Sequence, residues 1–137
     1  MKKSIFIAIV AISIAFPVSV SPRETRCGWY NPDDSEEGGS LLTDSEGFWK
    51  TWTKNMGVRS QGLDNLPSLP RKDSVTIFRP KPSLNTTYGC ACLEVETDKS
   101  SQFITMIYGG EILPLSTCRE DPNLPRNYLS LIHISEP

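Results

Sequence analysis

The side chains in this 137-residue chain best placed for chemistry are carboxylates and cysteines. Asp33, Asp34, Glu36 and Glu37 crowd one short stretch, and Glu94 and Glu96 stand two residues apart. Glycoside hydrolysis needs two carboxyl groups held roughly 5–10 Å apart, one of them kept protonated. An i, i+2 pair on a strand meets that distance. The same spacing also describes the wet side of any half-buried strand, and that plainer reading is preferred. A Ser-His-Asp or Cys-His arrangement requires a histidine, and the chain has only His133. No glycine-rich phosphate loop and no EF-hand spacing of acids occurs, so neither a catalytic constellation nor a cofactor or metal is expected.

The four cysteines are Cys27, Cys90, Cys92 and Cys118. An even number in a small chain with an export-type start reads as two disulfides. Three connectivities are open. A Cys90–Cys92 bond is the least attractive, because it would bridge across a single residue of an expected strand. Cys27 and Cys118 then each reach one member of Cys90-Ala91-Cys92. The rival readings are a redox pair or a thiolate metal site. Neither fits, since Cys-x-Cys is tighter than usual zinc spacing and no histidine assists.

The elements that must position these groups read as strands. Leu41-Leu42-Thr43 and Phe48 to Trp52 flank Asp44-Ser45-Glu46-Gly47, a turn-sized segment, and form an expected hairpin with Leu42 opposite Trp49. Ser74–Phe78 is a short β-branched strand closed by Pro80 and Pro82. Thr87–Thr97 is the clearest strand, with Ala91, Leu93 and Val95 on a core face and Cys90, Cys92, Glu94 and Glu96 on the other. Phe103–Tyr108 follows after a turn, and Gly109-Gly110 bends the chain. Residues 22–40 read as loop, and 57–70 as a non-periodic connector. The expected fold is all-β, a small disulfide-bridged barrel or sandwich of five to six short strands. Trp29 and Tyr30 lie beside a cysteine, and Trp49 and Trp52 share a hairpin. Aromatics and acids together can form a sugar- or peptide-binding face, though core packing is the commoner use.

The two ends are set apart from the domain. Met1-Lys2-Lys3 precedes an uncharged apolar run from Ser4 to Phe16, the pattern of a secretory signal peptide over about residues 1–21. Leu129 to Pro137 matches, residue for residue, the translation of a transposase sequencing adapter. That nonapeptide is expected to be no part of the domain, and His133 with it. Residues 22–128 remain as a single domain. Val20 to Tyr128 carries 12 lysines and arginines against 15 aspartates and glutamates, a net charge of −3. A nucleic-acid-binding surface would be markedly basic, so that class is excluded.

Several blocks carry a family likeness. They are Cys27-Gly28-Trp29-Tyr30-Asn31-Pro32, Leu42 to Gly47 with Trp49, Gly62 to Pro67, Tyr88 to Val95, and Leu113 to Arg119. On these residues the chain resembles domain of unknown function 4087, a family of small exported bacterial proteins. The resemblance implies export and a compact cysteine-bridged domain, and implies no activity. The expectation is a periplasmic or secreted, non-catalytic binding or accessory domain, without stable membrane insertion once the signal is cleaved. Its partner would be an envelope protein or a cell-wall glycan. The alternatives are an inhibitor of a secreted hydrolase such as a lysozyme, or a glycan hydrolase using Glu94 or Glu96.

Overall fold

A computed structural model of the chain describes residues 9–11, 22–32, 40–53 and 57–125. Most of the expected signal segment, the acidic run with Asp33, Asp34, Glu36 and Glu37, and the 129–137 tail lie outside the described residues. The strands are β1 (Glu24–Tyr30), β2 (Ser40–Asp44), β3 (Gly47–Lys50), β4 (Trp52–Thr53), β5 (Val58–Arg59), β6 (Ser74–Ile77), β7 (Thr86–Asp98) and β8 (Phe103–Leu113), followed by the short helix α1 (Leu115–Arg119). Six of them form one sheet in the order β1-β2-β3-β8-β7-β6, and β1 also pairs with β7. That extra pairing closes β1, β2, β3, β8 and β7 into a ring. The fold is therefore a barrel, and β6 extends its wall along β7.

Every pairing in the wall is antiparallel except β3 with β8, which touch at Lys50 and Phe103. This seam is the weakest part of the ring. The segment after β5 mends it: Gln61 bridges Met106 in parallel, its N–H reaching Thr105 O at 3.0 Å while Ile107 N–H reaches Gln61 O at 2.9 Å. Gly62 can follow because it adopts φ +78°, and a Cβ there would lie 2.1 Å from Ile107 O. The position is thus closed to other residues twice over, by conformation and by space.

Alternation along β7 places Ala91, Leu93 and Val95 inward, as expected, where they meet Leu42, Trp49, Ile104 and Ile107. Each fully buried side chain of this size is worth roughly 1.5–3 kcal/mol relative to exposure. Leu42 lies opposite Trp49 in the β2–β3 hairpin, also as expected. Leu63, Leu66 and Leu69 of the non-periodic connector close one mouth of the barrel by packing on this core.

Other features depart from the sequence reading. Residues 24–30 form a strand, not a loop, because their pairing to β7 runs unbroken from Glu24↔Val95 to Tyr30↔Gly89. β7 and β8 run to 13 and 11 residues, and Gly109-Gly110 continues β8. The bend there is a bulge, with Gly109 opposite Glu94 but Ile107 opposite Val95. Outside the barrel, α1 and the following turn cover β1 and β7, burying Trp29, Cys90, Cys118 and Leu124 as a second small cluster.

The disulfides are Cys27–Cys92 and Cys90–Cys118. Cys27 and Cys92 face each other directly across β1 and β7, with Cα atoms 4.0 Å apart. Cys90–Cys118 straps α1 onto the wall and is buried.

Candidate functional site

The polar groups converge at one mouth of the barrel, around an arginine that sequence reading passed over. β1 turns Glu24, Arg26, Gly28 and Tyr30 inward. Arg26 is 7% exposed. Its guanidinium lies 3.8 Å from the centre of the Trp49 ring, and it meets three carboxylates: Glu24 at 2.9 Å, Asp44 at 2.8 Å and Glu46 at 2.7 Å. Burial alone would lower its pKa, but hydrogen bonds to Asp44, Glu46 and Glu24 outweigh it and push the guanidinium pKa up.

Asp44 is the hub of this mouth. It ends β2, and its Oδ1 accepts both the Glu46 N–H and the Trp49 Nε1–H, each at 2.9 Å, leaving Oδ2 for Arg26. The first bond is the usual Asx-turn contact and explains why the four-residue turn begins on an aspartate. Glu24 accepts from Thr97 Oγ1 as well as from Arg26. Burial raises its pKa, yet hydrogen bonds from Thr97 and Arg26, with the charges of Arg26 and Lys99, hold its carboxyl below the ordinary value. A polar depression of about 290 Å³ opens over the cluster, lined by Glu24, Thr25, Arg26, Cys27, Asp44, Ser45, Glu46 and Lys99. Glu46 is the most exposed of the three carboxylates. Such a site offers fixed acceptors to ammonium or hydroxyl groups.

A second depression, of about 350 Å³, lies at the other mouth between Tyr30, Pro32, Leu66, Pro67, Ser68, Leu69 and Thr87. Its lining is more apolar, and the Tyr30 hydroxyl donates to Pro67 O at 2.8 Å.

Glu94 and Glu96 do share a face, the outer wall of β7. Glu94 accepts from Thr25 Oγ1 and lies 3.5 Å from Arg23, whose guanidinium sits 4.5 Å over the Tyr108 ring. Glu96 accepts from Tyr108 Oη at 2.8 Å. That hydrogen bond is the main cause of a Tyr108 pKa raised above its ordinary value. The pair is thus tied into a surface lattice on a convex wall. Trp29, Tyr30 and Trp49 are buried, and Trp52 is half-buried in the separate β4–β5 hairpin. Among the described aromatic and acidic candidates, only Trp49 reaches the Arg26 mouth. The signal that could have found this mouth was the period-2 spacing of Glu24, Arg26 and Gly28 beside Cys27.

Among the described residues no group of three or more His, Cys, Asp or Glu side chains is arranged to hold a metal ion. Among them, too, no helix is long and apolar enough to cross a membrane. The two disulfides are compatible with a protein working outside the cytoplasm. No curated protein and no solved structure matches the chain. With residues 21–125 matched by the model of the family described as protein of unknown function, DUF4087, the chain belongs to that family.

Proposed function

We propose that the chain is exported and serves as a non-catalytic binding domain of the cell envelope, with the Arg26 mouth as its ligand face. The observation that carries this reading is the depression itself. Arg26 immobilises Glu24, Asp44 and Glu46 from beneath, while Glu46 keeps an exposed carboxylate at the rim. A preset polar surface of this kind suits amino- and hydroxyl-bearing cell-wall glycan fragments. Export rests on the lysine-led apolar start and on the two disulfides.

The strand order supports the location. Numbering only the barrel strands along the chain, the wall runs 1-2-3-5-4 and back to 1, with the third and fifth parallel. That is the order of OB barrels, which bind oligosaccharides and oligonucleotides over strands 2–3 and the loops 1–2 and 4–5. Lys99, in the turn between the fourth and fifth barrel strands, lines the depression. This is an analogy of fold, and it bears on where a ligand sits and not on which ligand.

The test is calorimetric titration of the protein with soluble peptidoglycan fragments, with Glu46→Lys alongside. Saturable binding that Glu46→Lys abolishes is the expected result. No heat with any fragment would remove the glycan reading. A second reading, inhibition of a cationic secreted hydrolase, draws on the same carboxylate-rich rim. It requires that the protein slow lysozyme turnover and that Glu46→Lys relieve the effect.

A further inference from the structure

The β6–β7 hairpin carries a feature unrelated to the Arg26 mouth. β1 follows β7 only as far as Gly89 and β8 only as far as Cys90, so residues 86–88 of β7 pair with β6 alone, through Val75↔Tyr88, Thr76↔Thr87 and Ile77↔Thr86. This arm is packed for most of its length, Val75 lying on the second small cluster, Thr87 lining the second depression and Ile77 buried, so the part that stands free is the tip beyond Ile77. At its tip Phe78 is 74% exposed. Exposed Arg79 and Lys81 follow it directly, and exposed Arg71 and Lys72 precede the arm at its base. None of the four forms an ion pair among the described residues. The tip is also shaped in advance: Arg79 N–H donates to Asn85 Oδ1 at 2.8 Å, Asn85 N–H to Pro82 O at 3.1 Å, and Pro80 and Pro82 restrict the backbone between them.

We propose that this tip docks the domain on an anionic lipid surface, Phe78 entering the headgroup layer while Arg79 and Lys81 contact lipid phosphates. A convex aromatic point suits no small-molecule pocket, since such sites are concave. A protein partner would need a matching cavity, whereas a fluid bilayer accepts a protruding apolar wedge without one. Flanking cations supply the charge complement that holds amphipathic elements at anionic interfaces. At the tip itself the charge is of one sign: between Ile77 and Thr86 the chain carries Arg79 and Lys81 and no aspartate or glutamate.

The experiment is co-sedimentation of the protein with vesicles of phosphatidylcholine alone or mixed with phosphatidylglycerol. Binding should require phosphatidylglycerol and weaken with salt. Arg79→Gln with Lys81→Gln should lower the partition coefficient about 25-fold, at about five-fold per cation. Phe78→Ser should lower it on the order of ten-fold. Phe78→Trp, bound to vesicles of brominated phosphatidylglycerol, should show quenching that the parent protein lacks, which places the tip itself in the lipid. Three results would overturn the proposal: equal binding to neutral vesicles, binding unaffected by these substitutions, or no added quenching. Binding to a soluble polyanion that survives Phe78→Ser, with no vesicle binding, would also overturn it in favour of an acidic macromolecule.

Discussion

Replacing Arg26 with methionine isolates what the buried cation does. Methionine keeps most of the aliphatic volume against Trp49 and removes the charge. Glu24 and Glu46 retain 28% and 53% exposure, so water replaces the lost partner there. Asp44 cannot be rescued in that way, with its side chain only 7% exposed. It keeps the bonds from Trp49 Nε1 and the Glu46 N–H, so its charge is left partly compensated. Removing one partner of a buried pair typically costs about 3–5 kcal/mol, and the two surviving bonds place the expected loss near the lower bound, about 3 kcal/mol. For a domain of this size that lowers Tm by more than about 10 °C. Asp44→Asn in the Arg26→Met background removes the orphaned charge while keeping an acceptor for Trp49. It should recover part of the loss, giving a coupling of roughly 1–3 kcal/mol in a double-mutant cycle. Urea unfolding followed by tryptophan fluorescence reads all three variants. A loss below about 1 kcal/mol, the range of an exposed ion pair, would refute the reasoning. So would a double variant no more stable than the single one.

The two disulfides should separate by access under native conditions. Cys27 is exposed and Cys90 and Cys118 are buried, so mild reductant with thiol labelling and peptide mapping should open Cys27–Cys92 first and Cys90–Cys118 only on unfolding. Replacing Cys27 and Cys92 together with alanine should cost roughly 4 kcal/mol, because that bridge closes a 65-residue separation; a loss below about 1 kcal/mol in a thermal melt would contradict it. Gly62→Ala should cost at least about 2 kcal/mol by denaturant titration, from φ +78° and the contact with Ile107 O. The pKa of Glu24 is lowered on folding, so its stabilisation is present above the ordinary value of 4.5 and fades as pH falls through the folded value. Urea midpoints measured against pH should therefore drop on the acid side, and Glu24→Gln should flatten that limb. Tyr108 is raised, so its phenolate should appear above pH 10, and earlier in Glu96→Gln, by ultraviolet titration.

What the sequence by itself determined was set by local pattern. β7 declared itself because Ala91, Leu93 and Val95 are apolar and alternate with polar neighbours, and the β2–β3 register followed from a turn of suitable length. The cysteine count and the place of Cys90 and Cys92 on one strand narrowed the bridges, yet which end met which cysteine depended on β1 lying antiparallel to β7. β1 itself stayed hidden because its pattern is inverted. Its inward positions are Glu24, Arg26, Gly28 and Tyr30, while Cys27 and Trp29 point outward, so hydrophobic alternation gave no strand signal. Only closure of the barrel makes an inward arginine sensible, by setting Asp44 of β2 and Trp49 of β3 around it from 18 and 23 residues away in the chain. The same closure decided between barrel and sandwich, since a seam as slight as Lys50–Phe103 and a strap through Gln61 leave no periodic mark. Contacts between residues distant in sequence are paid for by the whole fold, and no local stretch encodes them.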